Sequence, residues 1–590
     1  MCGILGCSWQ DERFVRESLP LIRHRGPDGE GVFSDGSVSL GHVRLSILGV
    51  TEAGRQPMSY EHLTIVFNGE IYNFREIQPE LERLGYSFST GTDTEVILKA
   101  YHAWGCEMVR RFNGMWAFCI YDARRNELFL SRDRFGQKPL YYTRTKRGLA
   151  FSSEIKPLLK LRKPKVNREI VSDFLYFGFL EHTDETFFKG VKEVPASHHA
   201  VFSLSRRRLR LERYYTLKDS QEGVRDAFAR ACLYRTVADV PVTLSVSGGV
   251  DSTAIGAVYA RQGMSLEAFT TSSKWGRDET SKVRLLERRY PRAFNVHKVG
   301  LDHKGYLGLL RKLVWHLESP MKGDASTRWF IAQAVRSRGY KVLVTGEGGD
   351  EMLGGYPSAY PFIVSSLARQ GRLGAACRTL RDGWGYIRLR EAGFLGYYLA
   401  PRWLKRLLIA GYARVARRRL GYKVAERSSE RLRNSHFSSS REYFEYGLWR
   451  GGVPLLLAYN DKIAMAHGVE ARSPFMDVSV AERLMSLDPH ERVGHGYTKY
   501  VFRKAMEKDV PKRIVWDKTK IGFESPLSRY LKGADVKEAV EEYFAEARCA
   551  PYVDAEKFLE NYRRFVETGR GDPGYLLKVI SLEVFLREFF

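Results

Sequence analysis

Two stretches of this chain combine residue types that can do chemistry. The first is Ser247-Gly248-Gly249-Val250-Asp251-Ser252, set between the apolar run 241–246 and the helix-compatible stretch 253–260. A strand, a Gly-rich turn and a helix start gather unpaired backbone N–H groups at one point, where the helix dipole also favours negative charge. The glycines let phosphate oxygens approach the backbone, and Ser247 and Ser252 add hydroxyl donors. Asp251 would repel a bare phosphate, but it makes sense with Mg²⁺ between carboxylate and phosphate. No Lys follows the glycines, so this is not the P-loop of kinases and GTPases. The second stretch is Cys2. Removal of Met1, expected before a small residue, would leave Cys2 with a nucleophilic sulfur and an α-amine of pKa about 7.7–8. That amine can take the thiol proton, directly or through water, without a separate His. The start of a strand is the other reading of Cys2, and position two alone does not decide between them.

Elements must place these groups. Beyond residue 242 strands and helices alternate: strand 242–246, helix 252–261, strand 266–271, helix 278–288, strand 293–299 and, later, strand 341–345. Such alternation implies a parallel sheet with ligands at the strand C-terminal ends. Gly346-Glu347-Gly348-Gly349-Asp350-Glu351 also follows such a strand, so two acidic Gly-rich loops could face one another across ATP–Mg²⁺. The first two hundred residues read differently. Strands alternate with turns there, with few long helices apart from the amphipathic stretch 74–84, which predicts packed β-sheets flanked by helices.

A chain of 590 residues exceeds one core, so two to four domains are expected. Net charge is +25 with a pI near 9.6, which favours anionic partners. Seven cysteines without a C-x-x-C pair argue against a disulfide framework or zinc cluster and fit a reducing cytosol. Cys7, Cys106 and Cys119 sit among apolar residues as core packing. No apolar run reaches 18 residues and no signal-peptide core opens the chain, so neither membrane spanning nor secretion by that route is expected.

An ordered set of segments decides the reading of Cys2. After Met1-Cys2-Gly3 come Arg23-His24-Arg25-Gly26-Pro27-Asp28, the run 41–47 with Arg44, Asn68-Gly69-Glu70, Gly91-Thr92-Asp93, Asn113-Gly114 and Ser131–Tyr142. Together they resemble the N-terminal-nucleophile glutaminase domain of class II glutamine amidotransferases. The resemblance implies an αββα sandwich and a role for each residue. Cys2 would attack the glutamine side-chain amide and form a thioester. The Asn68 amide and Gly69 N–H would form the oxyanion hole. Arg44 would pair with the glutamine α-carboxylate, Asp93 would hold the α-ammonium, and Glu70 would complete the pocket. Taken singly, Arg44, Glu70 or Asp93 reads equally as a solvated surface charge. His24 receives no acid–base role, its loop being expected to close over glutamine, and Ser131–Tyr142 is assigned to structure at an interdomain contact.

The second half resembles the PP-loop ATP pyrophosphatases of asparagine synthetase type. The two acidic loops carry this, together with Asn460–Asp477, Thr498-Lys499 through Ala505, and Lys518–Pro526. By that resemblance Ser247, Gly248, Gly249, Asp251 and Ser252 hold pyrophosphate and Mg²⁺, with Asp350 the second metal-bearing carboxylate. Val246, Thr271, Thr345 and Gly346 would contact adenosine. Lys520 would neutralise charge developing between α-phosphate and acyl oxygen. Glu347 would be general base toward ammonia; N-capping of the next helix is the other reading of Glu347 and Asp350. The whole is then a two-domain chain, 1–212 glutaminase and 213–590 PP-loop parallel α/β domain with a helical C-terminal part. Its implied reaction is glutamine-dependent amidation of aspartate, ATP and Mg²⁺ being the cofactors, in the cytoplasm, with a homodimer as the family's habit.

Several segments depart from the family pattern. Leu317-Glu318-Ser319-Pro320, Met321–Thr327, Ala464 and Trp516 stand where other residues are usual. They lie toward the acceptor side, so another carboxylate, such as a sugar acid or cell-envelope precursor, is the alternative acceptor. Residues 369–433 hold 17 Lys/Arg against 4 Asp/Glu, a net +13 and about half of the chain's excess. Runs 401–409 and 414–420 read as basic amphipathic helix. A solvated helical face is the first reading, a membrane-surface or anionic-polymer contact the second. Nucleic-acid binding comes third and is not expected, since no reader motif accompanies the charge.

Overall fold

The computed structural model describes residues 2–272, 280–301, 305–386, 389–425, 437, 439–518 and 526–590. In the first half the strands are β1 Gly3–Cys7, β2 Gly29–Ser34, β3 Ser39–Arg44, β4 Met58–Tyr60, β5 Leu63–Ile71, β6 Gly114–Asp122, β7 Glu127–Arg132, β8 Tyr141–Arg144, β9 Leu149–Ser152, β10 Val191–Glu193, β11 His198–Ser203 and β12 Arg208–Arg213. Among the described residues they form two six-stranded antiparallel sheets, ordered β10-β8-β9-β1-β3-β2 and β12-β11-β7-β6-β5-β4.

Alternation along each strand makes the layers. Ile4, Leu40 and Phe151 from one sheet meet Val66, Cys119, Leu130 and Phe202 from the other in a shared core. Neighbours one residue away point outward. Ile65, Phe67, Phe118 and Phe129 pack under the helices Phe74–Glu82 and Asp93–Trp104. Leu5, Cys7, Val43 and Ala150 pack under Glu12–Ser18 and Arg168–Phe177. The result is the αββα sandwich.

The second half holds β13 Val242–Ser245, β14 Leu266–Ser272, β15 Phe294–Gly300, β16 Val342–Val344 and β17 Glu470–Arg472, in the order β15-β14-β13-β16-β17 with every pairing parallel. Strand order reverses between β13 and β16. That is the switch point of an open α/β sheet, where loops diverge and leave a crevice. The loop after β13 runs into the helix Val250–Arg261, and the loop after β16 into the short helix Gly349–Leu353. Helices from Leu527 to Phe589 close the C-terminal part.

Buried ion pairs join the halves. Arg25 contacts Glu154 at 3.2 Å and Asp461 at 2.7 Å, and Lys138 reaches Asp461 at 3.2 Å. Lys156 bridges Glu154 at 2.6 Å and Glu318 at 3.2 Å, and Lys462 meets Glu318 at 3.0 Å. Lys138 thus brings the Ser131–Tyr142 segment into contact with the second half. Glu318, within the divergent 317–320 segment, is a hinge of this network rather than part of the ATP crevice.

Candidate active sites

Cys2 lies buried just before β1, between the ends of β3 and β9. Its main-chain nitrogen donates to Asn68 Oδ1 at 3.1 Å, and its carbonyl accepts from Arg25 Nε at 3.2 Å. Burial pushes the thiol above its ordinary range, so a base must take its proton at the moment of attack. Asn68 falls inside β5, because β6 pairs with the whole length from Leu63 to Ile71. Val66, Asn68 and Glu70 share the inner face: Val66 joins the inter-sheet core and Asn68 meets the Cys2 nitrogen. Asn68 is fully buried, yet its Nδ2 has no partner among the described residues. A buried amide donor left unmatched beside a thiol is what an oxyanion would satisfy.

β4 pairs only with Leu63–Ile65, so the far edge of β5 is open beyond that point. Phe67 N–H donates to Gln56 Oε1 at 2.7 Å and Ile71 N–H to Asp93 Oδ2 at 2.9 Å on that edge. Gly69 N–H, two residues from each, points to the same edge between them. No side chain fits at Gly69, since a Cβ would lie 2.1 Å from the Met115 carbonyl oxygen.

Arg44 ends β3, and its guanidinium donates to the carbonyls of Thr51, at 2.8 Å, and Gly49. No carboxylate among the described residues pairs with it, which leaves its charge for an anion. Asp93 opens the helix Asp93–Trp104, whose cap is Thr92. The turn before it is held by Glu95, which accepts from Ser89 N at 3.0 Å and Thr90 N at 2.7 Å. Gly91 takes the left-handed φ of +63° that this turn needs. Burial raises the Asp93 carboxyl to about 7. Arg44, Glu70 and Asp93 are all buried, so the solvated-surface reading of these charges does not hold. Glu70 faces across the domain contact: its Oε1 lies 3.4 Å from Arg472 Nη2, while burial and nearby Glu470 push its carboxyl up. His24 Nε2 binds Glu154 Oε1 at 2.8 Å.

The second site is the crevice between β13 and β16. It is lined by Ser247, Gly248, Gly249, Asp251, Ser252, Thr345, Gly346, Glu347 and Asp350, which the sequence singled out. Val246 and Thr271 are buried and do not line it, Val246 packing in the core around β13. Ser252 Oγ accepts from Ser247 N at 3.0 Å, closing the turn on itself. A Cβ on Gly349 would lie 2.9 Å from Asp251 Cγ, so the second loop is glycine where the first presses against it.

Lys499, to which the sequence reading gave no role, supplies the cation. Its Nζ bridges Asp251 and Asp350, the latter at 2.7 Å. Two carboxylates converging on one point, with Asp251 Oδ1 buried and unpartnered, suit Mg²⁺ shared with phosphate oxygens. Thr498-Lys499 stood in a quoted motif, but only the left-handed turn at Lys499, with φ +57°, aims it into the crevice. Arg328 was also missed. It donates from Nη2 to Glu347 Oε1 at 2.7 Å and from Nε at 3.2 Å, so Glu347 is ion-paired rather than a helix cap. Lys520 lies outside the described residues.

The two sites touch through β17. Arg472 approaches Glu70 on one side, and its carbonyl accepts from Thr345 N at 2.8 Å on the other. Next to it, Ser473 Oγ donates to the Glu347 carbonyl at 2.6 Å.

Comparison with known proteins agrees with this geometry. Residues 1–215 match the glutamine amidotransferase domain family and residues 223–587 the asparagine synthase family. Glutamine-hydrolyzing asparagine synthetase 1 of Bacillus subtilis (strain 168) is 29% identical, over 95% of this chain and 92% of its own. Asparagine synthetase 3 of the same organism is 28% identical over 90% and 88%. Amidase chyE of Penicillium rubens is 26% identical over 89% and 88%. With a glutaminase pocket and an ATP crevice joined through one strand, the chain belongs to the asparagine synthase family of ATP-dependent, glutamine-using amide ligases.

Proposed function

We propose that this chain is a glutamine-hydrolysing asparagine synthetase, divided at 212/213, that amidates aspartate. The observation carrying this is the unbroken contact from Asn68's face through Glu70 and Arg472 to Thr345, which links a nitrogen source to an adenylating site. After Met1 is removed, the Cys2 amine takes the thiol proton and the sulfur adds to the glutamine amide carbon. The oxyanion is received by Asn68 Nδ2 and Gly69 N–H. Collapse releases ammonia and leaves a thioester, which water hydrolyses to glutamate. Arg44, Glu70 and Asp93 hold the amino-acid end.

In the crevice, Ser247, Gly248, Gly249 and Ser252 cradle the phosphates, with adenosine against Thr345, Gly346 and the main chain, rather than the side chains, of Val246 and Thr271. Asp251 and Asp350 would hold Mg²⁺, which supplies charge neutralisation to the phosphates. The acceptor carboxylate attacks the α-phosphate and pyrophosphate leaves, Lys520 countering the charge that develops. Ammonia then adds to the acyl carbon, Glu347 accepts its proton, and AMP departs. The net reaction is aspartate + ATP + glutamine + water to asparagine + AMP + pyrophosphate + glutamate. We place the chain in the cytoplasm and expect a homodimer.

A second reading keeps the chemistry and changes the acceptor to another carboxylate, such as a sugar acid or an envelope or secondary-metabolite precursor. Arg328, which directly follows the divergent run 321–327, favours it, because it sets a cation on Glu347 at the acceptor end. An acceptor screen followed by pyrophosphate release with ATP, Mg²⁺ and ammonia separates the readings. Release with aspartate is the expected result; none with aspartate but release with another carboxylate moves the assignment to the second reading.

A further inference from the structure

The basic segment forms one continuous helix, Arg402–Leu420, with seven cationic and no acidic residues. Its orientation is the reverse of a solvated amphipathic helix. The inward stripe is Lys405, Ile409, Ala413 and Ala416, at helical spacing and ending in two small residues. The bulky apolar residues face out: Trp403 is 63% exposed, Leu407 62%, Leu408 47% and Val415 50%. Of the fourteen exposed large hydrophobic residues among those described, eight fall between Leu373 and Val415. Scattered single exposures need no explanation, but this concentration does.

The helix is held firmly despite its narrow inner face. Tyr412 Oη donates to the Tyr176 carbonyl at 3.1 Å, and Arg417 Nε donates to Tyr176 Oη at 3.2 Å. Its burial on the helix Arg168–Phe177 therefore fixes which side looks outward. Arg402 and Arg406 flank the apolar surface at one end, and Arg414, Arg418 and Arg419 are exposed at the other. A Trp–Leu surface rimmed by arginines matches the boundary between lipid headgroups and acyl chains, where apolar groups insert and cations meet phosphate. Nucleic acid would use the arginines but leave Leu407, Leu408 and Val415 without a partner. No described helix is long and apolar enough to cross a membrane, so contact is along the surface.

We propose that the helix Arg402–Leu420 is an interfacial anchor that lays its apolar outer face on an anionic phospholipid surface. This is independent of which carboxylate the enzyme amidates.

Flotation of the full chain with vesicles tests it. The protein is expected to float with phosphatidylglycerol–phosphatidylcholine vesicles, to stay behind with phosphatidylcholine alone, and to be released progressively by salt. Leu407→Glu with Leu408→Glu should lower the bound fraction about ten-fold or more, with glutamine hydrolysis at the wild-type rate showing that the variant folds. Should that pair misfold, brominated lipid should quench wild-type tryptophan fluorescence more than that of Trp403→Phe. No flotation, equal flotation with both vesicle types, binding indifferent to the substitutions, or quenching indifferent to Trp403 would each overturn the proposal. So would a dimer in solution that the Leu407→Glu change disperses, because a second copy would then be the occupant.

Discussion

The glutaminase pocket and the ATP crevice solve opposite problems. The first is built on strands, and its donors are one buried amide, one backbone N–H and a thiol that burial keeps protonated. The second is built on two loops, and its contents are paired charges with one negative in excess: Asp251 and Asp350 against Lys499, Glu347 against Arg328. The pocket works by where the backbone holds dipoles; the crevice works by how much charge of each sign it collects. Substitutions should therefore act sharply and separately in the pocket, and through charge balance in the crevice.

Cys2→Ala gives the largest expected split. Glutamine hydrolysis should fall by about 10³-fold or more, since no other nucleophile shares the site, while ammonia-dependent pyrophosphate release continues. Glutaminase activity at the wild-type rate in this variant would remove Cys2 from the mechanism. Asp251→Asn should have the converse effect. Pyrophosphate release should drop about 10²- to 10³-fold with glutamine or ammonia, leaving glutamine hydrolysis without ATP intact. Equal loss of both activities would mean that the two sites are not separable in this way.

The smallest effect is one of pH. In the role proposed for it Asp93 is ionised to hold the ammonium of glutamine, and burial raises its carboxyl from the ordinary 3.8 to about 7. As pH falls through 7 the carboxyl takes a proton, so glutamine KM should rise about five- to ten-fold between pH 7 and 6. Asp93→Asn should have a high KM that no longer changes over this range. The sign for stability is the opposite. The folded state holds this proton more tightly than the unfolded chain, so the group's contribution is present below about pH 4 and is lost as pH rises through 7.

Much of this was legible in the sequence because glycine and a lone nucleophile leave few alternatives. The loop at 247–252 read as an anion cradle once its flanks read as strand and helix, the second acidic loop followed from the same alternation, and the structure sets both loops around one crevice. Asn68-Gly69-Glu70 was legible as a family segment but not as strand; β6 runs the full length beside it and holds it in β5. The three residues of β17 are too short to show a period, and their pairing partner lies more than a hundred positions away, so Arg472 was invisible as the link between sites. Arg328 and Lys499 carry no local signature; only the fold brings them to Glu347 and Asp251. The basic segment was legible as helix but not as an inverted one, because which face is inward depends on Tyr176, far away in the chain.

Arg472 also limits how this enzyme can be rebuilt. Its guanidinium is fully buried among Glu470, Glu70 and the carbonyls of Arg235 and Val237, and one of these partners belongs to the other half. A transplant that exchanges the glutaminase half for a relative's would have to carry an acid at position 70. Otherwise the buried cation would lose one of its two acids and keep only Glu470 and the two carbonyls. The halves are thus less like interchangeable cassettes than like a lock cut together with its key.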